Sequence, residues 1–233
     1  MITVIGNLKG GCGKSTITFN LAVWLAALEE NVVAFDLDPQ ATLSDVAEVR
    51  QEEGVKPAII VYRPESNPTK IMREHQGEVL VDVGASNLWA MRQAIAMAQR
   101  ILVPVPPSQA DVWSTARFRD IINETVINRK EPPEILLFIN RADTHPGIRE
   151  SHETESALAS LTGVTLLENR ICQRTAYRRS FSEGRAVFEL SGGNKAAEEF
   201  LALATRLYPE LPPFRKKSNK AQRLDKESPS DDG

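Results

Sequence analysis

Lys9-Gly10-Gly11-Cys12-Gly13-Lys14-Ser15 follows directly on a short β-branched run, residues 2–6, and opens a helical pattern that reaches residue 28. A chain of phosphates carries several negative charges, and backbone N–H groups must come close to it. Glycines allow both the unusual dihedrals and the close approach. The helix that starts near Lys14 adds the positive end of its dipole. Lys14 is then placed to reach β- and γ-phosphates, and the Ser15 hydroxyl to ligate Mg²⁺. A glycine-rich loop alone is weak evidence. The strand before it, the helix after it and the Lys-Ser pair together make it specific. The strict spacing G-x-x-x-x-G-K-[ST] is not met, because Leu8 stands at the first glycine position; an additional lysine, Lys9, opens the loop instead.

Outward from this loop the pattern repeats. Short apolar runs at residues 2–6, 32–36, 59–62, 79–83, 101–105, 135–140 and 164–167 alternate with helical patterns at 14–28, 43–53, 88–98, 112–128, 151–161 and 194–207. Alternation of this kind predicts βαβ units: an α/β fold of P-loop NTPase type, its mostly parallel twisted sheet covered by helices on both faces in three layers. One domain is expected over residues 1–210. Beyond it, residues 211–233 change composition. From Arg215 on, Leu224 is the one large aliphatic residue, a basic first half (Arg215, Lys216, Lys217, Lys220, Arg223) precedes an acidic end, and disorder is expected.

Bulk properties exclude several classes. The 233 residues suit one large domain, and 42% hydrophobic with 25% charged residues is ordinary for a globular protein. No stretch approaches the roughly 18 to 20 apolar residues of a membrane span. The chain enters its first strand at once, without the basic start and cleavage site of a signal peptide. Cys12 and Cys172 make neither a disulfide framework nor a four-cysteine metal site, and His75, His145 and His152 lack metal-ligand spacing. A cytoplasmic protein is expected. Trp24 and Trp89, in apolar helical patterns, are expected in the core.

Two acidic strand ends complete the chemistry. Asp36-Leu37-Asp38-Pro39-Gln40 closes the second strand, and Val79-Leu80-Val81-Asp82 ends a hydrophobic run in a carboxylate. Carboxylates at the C-terminal edge of parallel strands stand where α/β proteins bind ligands. They can support Mg²⁺ or orient a water.

With its extra lysine, the loop resembles the deviant phosphate-binding loop of the ParA/MinD family of ATPases. Asp36-Leu37-Asp38-Pro39-Gln40 is similar to that family's first switch residue for residue. The resemblance implies that Lys9 reaches across a nucleotide-sandwich homodimer to the partner's ATP. It implies a nucleotide held by Lys9, Gly10, Gly11, Cys12, Gly13, Lys14, Ser15 and Thr16, with Mg²⁺ at Ser15, Asp36 and Asp82. Lys9, Lys14 and Asp38 would be catalytic, Asp38 by positioning the attacking water. In the second switch the sequence departs from the family, with Asp82-Val83-Gly84-Ala85-Ser86 in place of Asp-Thr-Pro or Asp-x-x-Gly. The stretches Val103-Pro104-Val105-Pro106-Pro107-Ser108 and Asp111-Val112-Trp113 also resemble the family. Asn140 and Arg141 stand at its adenine-contacting position, where an asparagine satisfying its own turn is the other reading.

The segment Asn169-Arg170-Ile171-Cys172-Gln173-Arg174, continuing through Arg178 and Arg179 to Arg185, is similar to the family segment in which arginines bind double-stranded DNA without sequence preference. A net charge of −3 argues against DNA binding by the average surface, but not by a local patch. If a helix begins at Arg174, Arg174 and Arg178 share one face; the other reading is a solvated face partly paired with Glu168 and Glu183. The whole implies a nucleoid-associated, weak ATPase that positions a plasmid or other cargo, stimulated by a ParB-like or other small adaptor. Alternatives are a relative serving a conjugative system and a MinD-like membrane-associated switch. The residues around Phe214 lack the apolar stripe the latter needs. An iron–sulfur reductase relative would need bridging cysteines.

Overall fold

The computed structural model describes residues 1–63, 68–144, 149–192 and 194–214, the side chains of residues 149 and 150 excepted. The tail residues from Arg215 onward, and His145, lie outside the described residues.

Among the described residues, β1 (Ile2–Gly6), β2 (Val32–Asp36), β3 (Ile60–Tyr62), β4 (Glu78–Val83), β5 (Arg100–Val105), β6 (Glu134–Ala142) and β7 (Thr165–Cys172) form one sheet ordered β3-β2-β4-β1-β5-β6-β7. Every neighbouring pair is parallel. The period-2 geometry of a strand sends alternate residues to opposite faces, and both faces here are apolar. Ile5, Ala34, Leu80, Leu102 and Phe138 join a core that also contains residues of α1 (Lys14–Ala27), α2 (Thr42–Glu52) and α8 (Lys195–Leu207). Val4, Val33, Val81, Val103 and Ile139 join a second core with α4 (Leu88–Met97) and α5 (Gln109–Val126). Short helices α3 (Pro68–Glu74), α6 (Arg149–Ala159) and α7 (Thr175–Ser182) complete the layers. The three-layer α/β architecture is therefore the one the alternating pattern predicted.

The strand order places β1 between β4 and β5, so the chain moves outward on either side of it. Ligands bind beyond the carboxyl ends of strands at such a switch point. The loop 7–13, the loops after β2 and β4, and the loop after β5 all gather at that edge. α1 is apolar nearly all round, with residues from Ile17 to Leu25 buried, because it covers the middle of the sheet and packs against α2 and α8.

Several expectations change. Strand β7 runs five residues further than the apolar run, and its pairing with β6 shifts register twice, so Glu168 and Arg170 sit on an irregular edge. Trp24 is in the core, but Trp89 is 72% exposed: it heads α4 on the face turned away from the sheet. Leu211 and Phe214, read with the tail, pack on the α8 side, with the Phe214 and Phe188 rings 4.7 Å apart.

Arg50, buried at the end of α2, ties that helix to the segment after α7. It donates to the Gly184 carbonyl at 2.9 Å and to both oxygens of Glu189 at 2.7 and 2.8 Å. Asn20 of α1 accepts from the Val187 N–H at 2.8 Å. The helix behind the phosphate loop and the helix behind Asp38 thus hold the same stretch of backbone.

Candidate nucleotide site

The loop from Asn7 to Gly13 is anchored at its base. Asn7 is fully buried and donates to the Pro104 carbonyl at 3.0 Å, while its side-chain oxygen accepts from the Lys9 N–H at 3.2 Å and the Ser114 hydroxyl at 3.3 Å. Gly11 and Gly13 have φ of 72° and 97°, a region costly for other residues. At Gly13 a side chain has no room either: a Cβ would lie 2.3 Å from the Asn140 amide nitrogen. Gly13 caps α1 with no side-chain hydrogen bond, which leaves the first N–H groups of the helix facing the edge.

Lys14 is only 6% exposed, and its ammonium lies 3.4 Å from the Lys9 carbonyl and 3.9 Å from the Cys12 sulfur. A cation folded over a ring of N–H donors is built for an anion. Burial pushes the Cys12 thiol up, so it stays protonated and fills space in the loop.

Three carboxylates stand beside the loop with different surroundings. Asp36 and Asp82 are register partners on β2 and β4. Asp36 accepts from the Ser44 N–H at 2.8 Å and hydroxyl at 2.9 Å, at the start of α2. Asp82 is fully buried, and neither of its oxygens has a hydrogen bond. Burial pushes its pKa up to about 7; Ser15 and Lys14 pull it back, and Asp36 and Asp38 push it further up. A buried carboxylate left without donors, next to a hydroxyl and a second carboxylate, fits a divalent cation. Asp38 is half-buried and accepts from the Gln40 N–H at 3.1 Å. Its carboxylate lies where a side chain on residue 84 would be, 2.1 Å from the Cβ position of Gly84. The glycine of the unusual second switch therefore makes room for the aspartate of the first.

Lys9 is 45% exposed and donates to Asp111 at 2.7 Å. Asp111 is itself buried in the first turn of α5, bonded through the same oxygen to the Ser108 hydroxyl. Sequence reasoning missed this partner. The signal was present: Ser108-x-x-Asp111 before an apolar periodic run is a helix-start pattern, and Ser108 does cap α5, accepting from the Asp111 N–H.

Asn140 uses its amide to bond the Cys12 carbonyl at 2.6 Å, tying the end of β6 to the phosphate loop. Neither expected role describes this bond, since the amide spans to the loop and not to its own turn. It still lines, with Gly13, Thr16, Arg141, Cys172 and Tyr177, an open cleft of about 780 Å³. Clefts of roughly 300–1,000 Å³ suit small ligands. Arg141 faces it with φ 57°.

The five arginines are not one free patch. Arg170 pairs with Glu155 of α6. Arg174 is the residue before α7, not within it, and its guanidinium grips Glu199 of α8 at 2.5–3.2 Å. It therefore does not share a helical face with Arg178. Arg179 and Arg185 both meet Glu183, at 2.6 and 3.9 Å. Arg178 is exposed and has no partner among the described residues.

The Arg174–Glu199 tie gives a pH dependence. Burial alone would raise the Glu199 pKa, but the Arg174 guanidinium and the Cys172 N–H outweigh it and hold it below the usual 4.5. A depressed folded-state pKa stabilises the fold fully above the unfolded value, and that stability is lost as pH falls through the folded one. Wild type should thus lose more stability than Glu199→Gln between about pH 5 and about pH 3. Urea midpoints across that range measure it; parallel curves would remove the tie from the account.

Comparison with known proteins agrees with this geometry. The sequence matches the family described as CobQ/CobB/MinD/ParA nucleotide binding domain over residues 3–187. It is 28% identical, over 88% of this chain and 95% of the relative, to "Maintenance of carboxysome distribution protein A" of Halothiobacillus neapolitanus. It is 29% identical, over 90% of this chain and 97% of the relative, to "Protein ParA" of Rhizobium radiobacter. The fold superposes on an ATP complex of McdA from Cyanothece, an aspartate-to-alanine variant, with TM-score 0.71, 16% identity, and coverage of 92% of this chain and 98% of that one.

Proposed function

Since the chain belongs to the CobQ/CobB/MinD/ParA nucleotide-binding family, we propose that it is a ParA-type positioning ATPase. Its ATP-bound homodimer binds double-stranded DNA without sequence preference, and an adaptor-stimulated hydrolysis releases it. The observation that carries this reading is the pairing of two lysines on one loop with opposite settings. Lys14 is buried inside the loop, and Lys9 is half exposed on its outer side. One serves the chain's own nucleotide; the other, once it leaves Asp111, serves a second copy's.

ATP is the substrate. Its triphosphate fits the N–H groups of residues 10–15 and Lys14, and its base fits the cleft beside Asn140 and Arg141. Ser15, Asp36 and Asp82 would hold Mg²⁺, which supplies charge neutralisation to the phosphates when bound. Asp38 orients the attacking water. Phosphoryl transfer needs little beyond such positioning and charge. The relatives' names speak of partition and of carboxysome distribution; a large cargo carried over the nucleoid suits this chain as well.

DNA contact is assigned chiefly to Arg178, which has no partner among the described residues, and to Arg179, whose exposed pair with Glu183 opens at little cost, since Arg170 and Arg174 are held by the more buried Glu155 and Glu199. Two phosphates per subunit give a dimer a slope of log K against log salt of about −3 to −4. Binding of a random-sequence duplex should require ATP, and Arg178→Ala/Arg179→Ala should flatten that slope toward zero. Equal binding with ADP, or an unchanged slope in the variant, would remove DNA from the reading.

A further inference from the structure

α2 runs between two parts of the molecule that the proposed function keeps apart. At its start, directly after the loop that carries Asp38, the Ser44 N–H and hydroxyl are held by Asp36. Its far end, about 16 Å away at about 1.5 Å per residue, meets the end of α7. There the two backbones all but touch: Gly184 has φ 58°, and a Cβ on it would lie 2.5 Å from the Arg50 backbone nitrogen. Arg50 is 1% exposed, and each nitrogen of its guanidinium is used. Nε donates to the Pro57 carbonyl at 2.9 Å, and the other two to the Gly184 carbonyl and to both oxygens of Glu189. Glu189 also accepts from the Ala186 N–H at 2.8 Å. The N–H groups of Glu183, Gly184 and Arg185 in turn close the last turn of α7, on the carbonyls of Arg179, Phe181 and Ser180. α7 therefore does not shift without the stretch that Arg50 grips.

We propose that Arg50, through Glu189 and Gly184, is the positioning residue that makes the DNA contact of α7 depend on the nucleotide. The inference rests on the reading of α7 as the DNA-contacting helix, and names how the nucleotide governs it. A buried ion pair adds little net stability, because desolvating both charges offsets their attraction. What a bidentate guanidinium–carboxylate fork does add is fixed geometry. Two helices fixed in this way move as one body. Asp36 and Asp38, before the start of α2, are the groups that meet the charge of the nucleotide and its cation. A shift of α2 in response is carried by Arg50 to the helix that bears Arg178 and Arg179. Two sites are coupled when both bias one element, and here that element is the joined α2 and α7. The rest of the fold does not depend on this tie alone. Arg174 still holds the start of α7 to Glu199, and Asn20 still holds Val187 to α1.

The test uses the full chain with Arg50→Met, and with Glu189→Gln as a milder second variant that keeps an acceptor for the Ala186 N–H. Affinity for a random-sequence duplex is measured with a non-hydrolysable ATP analogue and with ADP, and the ratio of the two is the readout. Analogue affinity without DNA and the dimer constant by sedimentation velocity are measured beside it. Arg50→Met is expected to shrink the ratio at least about 10-fold, and Glu189→Gln to shrink it less, while analogue affinity and the dimer constant stay within about 3-fold. By linkage, the gain in analogue affinity that DNA confers on the wild type shrinks by the same factor. An unchanged ratio in both variants would mean that dimerisation alone switches DNA binding, and the inference fails while the ATPase reading stands. A loss of analogue affinity or of dimer as large as the loss of DNA affinity in both variants would make Arg50 a residue of the fold only, and also overturns it. Should Arg50→Met not fold, Glu189→Gln decides. If the wild type binds the duplex equally with ADP, or not at all, the DNA reading falls and takes this inference with it.

Discussion

Asp38→Ala lowers ATP turnover by about 10²- to 10³-fold while leaving ATP bound. The three carboxylates of the site differ in what they are free to do. Both hydrogen bonds that Ser44 makes go to one oxygen of Asp36, and the other oxygen accepts from the Asp38 N–H at 3.3 Å. Asp82 is sealed from solvent, and burial raises its pKa to about 7 despite the pull of Ser15 and Lys14. Asp38 alone is partly open, on a loop, with Gly84 clearing the space for its carboxylate. It can hold a water without being needed to hold the phosphates. Single-turnover hydrolysis, measured beside equilibrium ATP binding, separates the two. A parallel loss of affinity would make Asp38 a binding group, and unchanged turnover would move the water to another residue. The same clearance predicts that the departure in the second switch is tolerated, since Gly84 is the residue on which Asp38 depends.

What was legible in the sequence and what was not divide along physical lines. β1 and β2 match their apolar runs because every residue of these two strands is buried, which keeps the run nearly continuous. The β7 edge strand was cut short because Glu168, Asn169 and Arg170 need no burial there. Trp89 was misplaced because an apolar periodic pattern looks the same whether a residue in it faces the sheet or the solvent. The phosphate loop was readable because backbone geometry demands glycine at fixed places. The partners of the arginines were not. Glu155 and Glu199 are 15 and 25 residues from Arg170 and Arg174, and only the packing of α6 and α8 against β7 brings them together. Charge counted along the chain therefore overstated the free positive surface.

The two lysines of the loop should fail in different ways. Lys14 is enclosed by the loop, a few ångströms from the Lys9 carbonyl, and has no carboxylate partner among the described residues. Apart from its pull on the buried Asp82, its charge waits for phosphate. Lys14→Ala should raise the Kd for ATP by about 100-fold or more, since a charge-assisted contact in a water-poor site carries about 3 kcal/mol. Lys9 is instead paired with the buried Asp111 of its own chain. Lys9→Ala should leave ATP affinity of dilute monomer within about 3-fold, yet lower turnover by about 100-fold, because the charge it adds is felt only at the transferring phosphate of a second copy. Asp111→Asn cuts the competing pair and should raise turnover without adaptor several-fold, since Lys9 no longer has to be pulled from a buried carboxylate. Isothermal titration and steady-state hydrolysis on the three variants give the pattern. Equal loss of affinity in Lys9→Ala and Lys14→Ala would place both lysines on one nucleotide, and a chain acting alone would then have to account for the chemistry.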